Sequence, residues 1–443
     1  MKTPISSFLD KYANEKNVRL HMPAHKGRGG DIEKYDITEI SGADSLFEAD
    51  GIIMESEKNA GSIFGADTFY STEGSSLSIR AMAYLVTLFA RAEGKTPLIA
   101  AARNAHKSFI SAAALLDFDI DWLTDESPSY LSCRLSFRDV ENYLKGAKRL
   151  PTAVYLTSPD YLGYTADIEG IARVCHKAGV LLIVDNAHGA YLKFLTPSLH
   201  PIDLGADMCC DSAHKTLGVL TGAAYLHVSK NAPPFFKENA RGALSLFAST
   251  SPSYLILRSL DEENPYLLEN YRRELSEFIP KLYALKRELS SHGYTLADCE
   301  PMKITVIAKD YGYTGDELSK ILSERGIYAE FSDPDYLVLM PSPKNTDADL
   351  HALRSTLFSI PKREKIDTAA PSFSLPKRAM SIREAVLSNQ EVLPISKALG
   401  KTLAQVTVGC PPAVPIVVSG EILDEKAIEA FKYYNIKAFS VVK

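Results

Sequence analysis

The sequence predicts an α/β protein whose mostly parallel β-sheet is covered by helices. From about residue 65 to residue 228, helix-length segments alternate with short apolar runs bounded by turn residues, which is typical of consecutive βαβ units. Three runs, PLIAAA (97–102), TAVYLTS (152–158) and GVLLIVD (179–185), are almost continuously apolar. Because a strand between two helical layers is buried on both faces, these runs indicate central strands of a parallel sheet.

The segment between the last two of these strands has the pattern of a helix. In ADIEGIARVCHKAG (166–179), apolar residues recur at helical spacing and a glycine ends the segment. The recurring residues are Ile168, Ile171, Ala172, Cys175 and Ala178. A crossover helix of this kind is what two neighbouring parallel strands require.

After about residue 250 the pattern changes and predicts a smaller α+β domain. A long charged helix (269–293) precedes a strand (303–308), a second helix (314–326) and another strand (336–340). A connector rich in proline, lysine and serine follows. We predict five parts: an N-terminal arm with loops (1–64), a large domain (65–250), a small α+β domain (251–360), a linker (361–378) and a C-terminal domain (379–443).

Composition excludes several classes of function. The 443 residues carry a formal net charge of −6 and no basic block, so we expect no nucleic-acid partner. The N-terminus is polar and no stretch approaches the roughly 18 apolar residues of a membrane span, so we expect a cytoplasmic protein without a membrane partner. The six cysteines show no CxxC spacing, so we expect reduced thiols and predict no metal site.

Polar residues follow three predicted strands, at the sheet edge where doubly wound proteins bind ligands. The first strand is followed by Arg103, Asn104 and His106, the second by Ser158, Pro159 and Asp160, and the third ends at Asp185 with Asn186 and His188 after it. An acid at a strand end is more often a turn or cap residue than a catalyst. Asp185 therefore becomes a functional candidate only in the company of other residues.

The motif TEGSS directly precedes an apolar helix and is a candidate anion site. Gly74, Ser75 and Ser76 are small, so the backbone N–H groups at the helix start can point at an anion, which the helix dipole favours. The alternative is an ordinary N-cap in which Thr72 or Ser75 accepts the first amides. The motif alone does not separate the two interpretations.

Four His-Lys dipeptides place lysines in different settings. Lys177 lies on the predicted crossover helix, Lys26 in a glycine-rich basic loop and Lys107 at a helix start. For each of these three a solvated surface position is the default. Lys215 instead lies between the apolar segments ADMCC and TLGVLTGAAYL. Partial desolvation there favours the neutral amine that covalent chemistry with a carbonyl needs.

A helix-start anion site, an aromatic histidine after a strand, a strand-end acid and a sheltered lysine are together the set that pyridoxal phosphate needs. The motifs around them occur in one order along nearly the whole chain: HMPAHKG, TEGSS, RNAHKS, SPDYLGYTADI, VDNAHGAY, SAHKTLGVLTGAAYL, STSPSYLIL and PPAVPIVVSGE. In these motifs the sequence resembles the pyridoxal-phosphate-dependent Orn/Lys/Arg decarboxylase family, in particular its shorter bacterial group. The resemblance implies the aspartate-aminotransferase-type fold, which is the type I fold of pyridoxal-phosphate-dependent transferases.

The resemblance also implies roles for individual residues. Lys215 is expected to form the Schiff base, Asp185 to pair with the pyridine nitrogen and His106 to stack on the cofactor ring. Lys215 or His214 is expected to return a proton to Cα. The remaining cofactor-binding residues are expected to be Gly74, Ser75, Ser76, Ala187, His188, Ser212 and His214.

Substrate and partner expectations follow from the same resemblance. The expected reaction is decarboxylation of a basic amino acid, with arginine favoured over lysine and ornithine, in a homodimer or an assembly of dimers. Thr250 and Ser251 would reach the site of the partner subunit, and Glu421 would bind the distal cation of the substrate. Glu421 could instead serve only the nearby helix LDEKAIEAFKYY, where a negative charge suits the dipole.

Two departures from the family pattern leave the choice of substrate open. Ala413 and Ser419 stand where the family usually has glycine and proline. An aminotransferase has the same fold, lysine and aspartate, although we see no arginine motif for the α-carboxylate. A catalytically silent cofactor-binding protein is the alternative from another class.

Overall fold

Residues 1–125, 130–372, 375–410 and 414–443 are described by a computed structural model. The chain divides into two units, each built from three separate segments. Unit 1 consists of Met1–Pro97, Tyr143–Tyr155 and Ile168–Glu274. Unit 2 consists of Leu98–Asn142, Leu156–Asp167 and Leu275–Lys443.

The strands of the described residues, in chain order, are β1 (Ala66–Ser71), β2 (Leu98–Ala102), β3 (Asp119–Leu123), β4 (Ala153–Thr157), β5 (Leu181–Asp185), β6 (Met208–Asp211), β7 (Ala224–Ser229), β8 (Ile304–Ile307), β9 (Phe331–Ser332), β10 (Tyr336–Leu339), β11 (Gln390–Pro394), β12 (Thr407–Cys410), β13 (Val414–Val418) and β14 (Ala438–Val442). The three strands predicted from continuous apolar runs are confirmed as β2, β4 and β5.

The helices are α1 (Pro4–Asn14), α2 (Ile52–Phe64), α3 (Ser75–Ala92), α4 (Lys107–Leu116), α5 (Phe137–Gly146), α6 (Ile168–Lys177), α7 (Ala213–Thr216), α8 (Pro234–Ser245), α9 (Tyr254–Tyr266), α10 (Arg272–His292), α11 (Gly315–Ser323), α12 (Asp347–Phe358), α13 (Ile382–Leu387) and α14 (Glu425–Tyr433). A π-helical turn (Leu267–Tyr271) joins α9 to α10. Within the described ranges, none of these helices combines the length and apolar character that crossing a membrane requires.

The strands of unit 1 lie in the order β1-β7-β6-β5-β4, and β4 belongs to this unit up to Tyr155. Strands β5 and β6 are parallel, whereas β7 runs antiparallel to both β1 and β6. All residues of β5, β6 and β7 are buried, as the apolar runs predict for strands covered on both faces. Because β5 and β6 are parallel, the residues that follow them emerge at the same edge.

Unit 2 contains the parallel pair β2-β3 and three antiparallel sheets. The largest has the order β8-β10-β9, and its core includes Leu289, Ile304 and Leu337. The two-stranded sheets β11-β14 and β12-β13 belong to the C-terminal part of the chain, where Val417, Phe431 and Phe439 form part of a second core. The predicted α+β pattern after residue 250 is confirmed, whereas the five predicted domain boundaries remain a prediction.

Candidate active site

Asp185 is the last residue of β5 and is 2% exposed. Its Oδ2 accepts a hydrogen bond from Tyr155 Oη at 3.1 Å. Its Oδ1 accepts from the Ala187 N–H at 3.1 Å and from Cys210 Sγ at 3.6 Å. Burial raises the pKa of Asp185, and the positive charge of Lys215 opposes this rise. The site therefore combines a buried carboxylate at a strand end with the lysine predicted to bind the cofactor.

Lys215 lies on α7, a single turn that follows β6. The side chain is partly buried, and Nζ lies 2.9 Å from Nε2 of His188. His188 is 2% exposed and follows β5 by three residues. The turn after β5 and the turn after β6 thus meet at a lysine–histidine hydrogen bond, as expected for parallel strands that end at one edge.

The other three lysines of the His-Lys dipeptides are placed differently. Lys107 and Lys177 are exposed on α4 and α6. Lys26 is partly buried, but its Nζ donates to the backbone oxygen of His21 at 2.5 Å. Among the four, Lys215 is the lysine whose charge acts on Asp185.

The start of α3 has the features of an anion site. Gly74 is the N-cap with φ 70° and ψ 178°, and no side chain caps the helix. The N-cap residue is therefore Gly74 and neither Thr72 nor Ser75. The Gly74 N–H donates to Gly222 O at 2.7 Å, and Ser212 Oγ donates to Ser75 Oγ at 2.7 Å. An 18-residue helix without a side-chain cap presents amide donors and a positive dipole end beside two hydroxyls.

Two more predicted cofactor residues lie on the same segments. Ala187 is 7% exposed and follows Asp185 by two residues. His214 is partly buried, and its Nδ1 lies 3.0 Å from Ala223 O. Because a carbonyl oxygen can only accept, His214 carries its proton on Nδ1 and leaves Nε2 as the basic nitrogen.

The predicted partner-site residues Thr250 and Ser251 lie in the exposed loop between α8 and α9. The Ser249 N–H donates to Glu73 Oε1 at 2.7 Å. The loop therefore packs beside the turn that leads into Gly74.

His106 and Glu421 belong to unit 2 and are described within it. His106 is the N-cap of α4, and its Nδ1 accepts the Ser108 N–H at 3.2 Å. Glu421 is 3% exposed, and its Oε2 accepts from Arg103 Nη2 at 2.8 Å and from the Val418 N–H at 2.7 Å. Burial raises the pKa of Glu421, and the Arg103 guanidinium opposes this effect.

Of the two positions that depart from the family pattern, Ser419 lies within the described residues. Ser419 is 1% exposed, and its hydroxyl donates to Gln405 O at 2.6 Å. The serine hydroxyl thus makes a hydrogen bond to a backbone carbonyl that proline, which has no hydroxyl group, could not make. Ala413 lies outside the described residues.

Sequence reasoning missed several residues that support the site. Tyr155 lies inside β4, where its periodicity marks it only as a core residue. Asp211 immediately precedes Ser212, and its carboxylate binds Asn186, His200 and His227. The dipeptide Asp211-Ser212 was a usable signal, because an acid that ends an apolar strand must find buried partners.

The family models for this chain match two regions. The model described as "Orn/Lys/Arg decarboxylase, major domain" matches residues 3–308, and its C-terminal-domain companion matches residues 366–440. The chain belongs to the Orn/Lys/Arg decarboxylase family. The predicted resemblance is thereby confirmed, and this member of the family is an amino-acid decarboxylase.

Individual relatives agree with the family models. An "Arginine decarboxylase" from Bacillus subtilis is 28% identical over 480 residues, covering 99% of this chain and 94% of the relative. A second protein of that name, from Halalkalibacterium halodurans, is 29% identical over 471 residues, covering 98% and 94%. The crystal structure of a lysine decarboxylase from Francisella novicida has a TM-score of 0.82 at 17% identity, covering 100% of this chain and 81% of that one. This structure confirms the predicted type I fold.

Orn/Lys/Arg decarboxylases use pyridoxal phosphate, and solved structures of similar fold include a serine palmitoyltransferase described with that cofactor. The residues of unit 1 fit this group. The start of α3 lacks a side-chain cap, a Cβ added at Gly74 would meet no described atom within 4 Å, and Asp185 offers a buried carboxylate. Pyridoxal phosphate is the cofactor, and the substrate of this decarboxylase is a small molecule, a basic amino acid.

Proposed function

We propose that this decarboxylase acts on arginine and releases CO2 and the corresponding amine, with Lys215 as the lysine that binds pyridoxal phosphate. The observation that carries the proposal is the placement of Lys215 Nζ, 2.9 Å from His188 Nε2 and close enough for its charge to act on buried Asp185. Arginine is favoured because four relatives with nearly full-length matches are named arginine decarboxylases.

The cofactor, when bound, supplies a protonated ring that accepts the electron pair released as CO2 leaves. Asp185 would keep the ring nitrogen protonated. Burial disfavours its carboxylate form, whereas the Tyr155 hydroxyl and the Ala187 amide donate to that form. An ionised carboxylate with these donors is oriented before the cofactor binds, which favours the charge-assisted contact.

His188 would accept the proton that Lys215 releases. Its Nε2 accepts from the ammonium group, so a proton can leave Nζ without crossing open solvent. The neutral amine is the form that reacts with a carbonyl. After decarboxylation, Lys215 or His214 would return a proton to Cα.

The phosphate would bind at the start of α3. Ser75, Ser76 and Ser212 would donate hydroxyl hydrogen bonds, and the first amides of the helix would add backbone donors. His106 would stack on the cofactor ring, and Ala187 would pack against the opposite face. Both roles rest on the family resemblance.

We also propose a cytoplasmic homodimer in which Thr250 and Ser251 reach the partner's site. Their exposure and the hydrogen bond that packs their loop beside Glu73 support this role. Glu421 would bind the distal guanidinium. Its two hydrogen bonds fall on Oε2, so the substrate contact would use Oε1.

A single assay tests the proposed reaction. Purified protein with added pyridoxal phosphate is incubated with arginine, lysine or ornithine, and CO2 and the amine are quantified. We expect the highest kcat/KM with arginine. Preference for another basic amino acid would contradict the choice of substrate, whereas transfer of the amino group without CO2 would show an aminotransferase. Absence of any turnover by a cofactor-loaded protein would indicate a silent member of the family.

A further inference from the structure

Asp211 is a fully buried carboxylate at the end of β6, directly before Ser212. Its Oδ1 accepts from Asn186 Nδ2 at 2.7 Å. Its Oδ2 lies 3.0 Å from His200 Nε2 and 3.2 Å from His227 Nε2. Three side chains from three parts of unit 1 thus converge on one acid that the reaction described above does not use.

The partners of the two histidines fix how they meet this acid. His227 Nδ1 lies 2.8 Å from Thr68 Oγ1, so its Nε2 is left to carry a proton toward Asp211. His200 Nδ1 is buried and has no hydrogen-bond partner in the described part of the chain, so a proton on Nε2 again costs least. Burial alone would raise the pKa of Asp211, but His200 and His227 hold the pKa of its carboxyl below the ordinary value.

Asn186 connects the hydrogen-bond network of Asp211 to the turn that follows β5. Its N–H donates to Cys210 O at 2.9 Å, and its carbonyl oxygen accepts from the Gly189 N–H at 2.8 Å. A Cβ added at Gly189 would lie 2.0 Å from Asn186 Oδ1. The amide side chain is therefore held between the Asp211 carboxylate on one side and the Gly189 backbone on the other.

The same turn presents His188 to Lys215. We infer that Asp211, anchored by His200 and His227, is a positioning residue that fixes the Asn186–Gly189 turn and thereby the His188–Lys215 hydrogen bond. The inference rests on the proposed role of Lys215 as the lysine that binds the cofactor. Because Asp211 also precedes Ser212, one buried carboxylate ties together the segments that carry Asp185, Ser212 and Lys215.

A metal ion is the competing explanation of the cluster. Cys209 Sγ lies 4.0 Å from His200 Nε2, and the ligand atoms of His200, Cys209 and Asp211 lie within 4.8 Å of one another. A hydrogen-bond network explains the geometry better, because Asn186 can only donate its Nδ2 protons and both imidazoles are placed to donate to Oδ2. Metal analysis of the purified protein decides the point: one equivalent of zinc that is lost on Asp211→Asn would overturn the inference.

The first test exchanges the two polar side chains. In Asp211→Asn two amide groups face each other, and in Asn186→Asp two carboxylates face each other. Each single variant should therefore weaken cofactor binding by about tenfold or more. The double variant restores a carboxylate–amide hydrogen bond of reversed direction. We expect it to retain pyridoxal phosphate better than either single variant, whereas additive losses would contradict direct coupling.

The second test separates positioning from general stability and serves if the Asp211 variants fail to fold. Asn186→Ala is compared with Asn264→Ala, a change of the same type at another fully buried asparagine of unit 1, which donates to Tyr70 and Ser56. Three quantities are measured: the melting temperature of the apoprotein, the dissociation constant of pyridoxal phosphate, and the pH midpoint of the visible absorbance of the lysine-bound cofactor.

We expect both alanine variants to lower the melting temperature, and only Asn186→Ala to shift the absorbance midpoint and weaken cofactor binding about tenfold or more. If the two variants move all three quantities alike, Asp211 and Asn186 are merely structural. Borohydride mapping of the unsubstituted protein distinguishes a failure of the proposed function from a failure of this inference. An adduct on a lysine other than Lys215 refutes the proposed function, whereas an adduct on Lys215 with no midpoint shift in Asn186→Ala refutes only this inference.

Discussion

Glu421 Oε2 lies 2.8 Å from Arg103 Nη2, and the side chains of both residues are at most 4% exposed. Two nitrogens of the Arg103 guanidinium, Nε and Nη1, are buried without a hydrogen-bond partner among the described residues. Glu421 is therefore the anion that compensates a buried cation. A buried ion pair adds little over a well-packed apolar pair, but losing one partner is costly.

We predict that Glu421→Gln lowers the free energy of unfolding by about 3–5 kcal/mol, because Arg103 is left charged in the interior. Urea denaturation measures this loss. In the Arg103→Met/Glu421→Gln double variant, no uncompensated charge remains, so much of the stability should return. A double variant as unstable as Glu421→Gln would contradict the importance of the pair.

The same two variants test the proposed substrate contact of Glu421. If this residue binds the distal guanidinium, KM for arginine should rise about tenfold or more in Glu421→Gln and stay high in the stabilised double variant. A KM that returns to the original value in the double variant would show that the effect came through Arg103. Steady-state kinetics at saturating cofactor separate these results.

Asp185→Asn should retain pyridoxal phosphate but lower kcat by about tenfold to a hundredfold or more, because a buried charge-assisted contact contributes about 1.5–3 kcal/mol. The asparagine oxygen can still accept from the Ala187 N–H, and the new amide group can donate to the Tyr155 hydroxyl, so the fold should persist. Asp207→Asn is the matched control. Asp207 is also buried, and it binds His176 and the Leu182 amide at the opposite end of the strands. Near-normal turnover of Asp185→Asn would refute the role of Asp185.

Borohydride reduction of the native protein should attach the cofactor to Lys215. Lys215 is partly buried and close enough for its charge to act on Asp185, whereas Lys107 and Lys177 are exposed. Peptide mapping by mass spectrometry identifies the modified residue. Lys215→Ala should lose turnover and the lysine-bound absorbance, and Lys177→Ala should keep both. A pyridoxyl adduct on Lys26, Lys107 or Lys177 would contradict the assignment.

Shared sites in a dimer predict complementation between two inactive variants. Lys215→Ala protomers mixed with Thr250→Ala/Ser251→Ala protomers form heterodimers with one intact site. Random exchange should therefore restore about one quarter of the original activity. Mass spectrometry of differently labelled protomers verifies the exchange. If heterodimers form and no activity returns, Thr250 and Ser251 do not act across the interface.

The stability of the chain should fall as the pH rises through a window set by Asp333. Burial raises the pKa of Asp333 from the ordinary value of 3.8 to about 7, against the Tyr336 and Asp335 amides that donate to it. Between these values the folded chain keeps a proton that the unfolded chain releases, so each unit of pH reduces the free energy of unfolding by up to about 1.4 kcal/mol. Asp333→Asn should flatten this dependence in urea titrations at several pH values. Glu324→Gln, an exposed control on the same unit, should leave it unchanged.

Local patterns were sufficient to predict the sheet and the edge at which the site lies. Continuous apolar runs predict β2, β4 and β5, and β5 ends at Asp185 with His188 three residues after it. The setting of Lys215 between apolar strands is also a local property. These features depend on a few neighbouring residues, which is why a single sequence reveals them.

The supporting contacts of the site could not be predicted in this way. The Arg103–Glu421 pair joins residues 318 positions apart, and the Thr68–His227 hydrogen bond spans 159 positions. Neither residue type nor spacing specifies such partners, because the pairing depends on how the elements pack. The N-cap of α3 shows the opposite case. Thr72 and Ser75 are both good capping residues, yet the helix starts at Gly74, whose φ of 70° few other residues adopt easily.

The division of each unit among three chain segments has a consequence for how the protein is made. The first 97 residues contain α2, β1 and α3, but most of the strands that complete unit 1 are encoded between residues 143 and 274. At about 5–20 residues per second, a ribosome needs about 9 to 35 seconds to extend the chain from residue 97 to residue 274. During that time β1 lacks β7, the strand with which it pairs in the folded unit. Unit 1 therefore cannot complete its sheet until β7 has been synthesised, and a fragment that ends before β7 lacks the strand that pairs with β1.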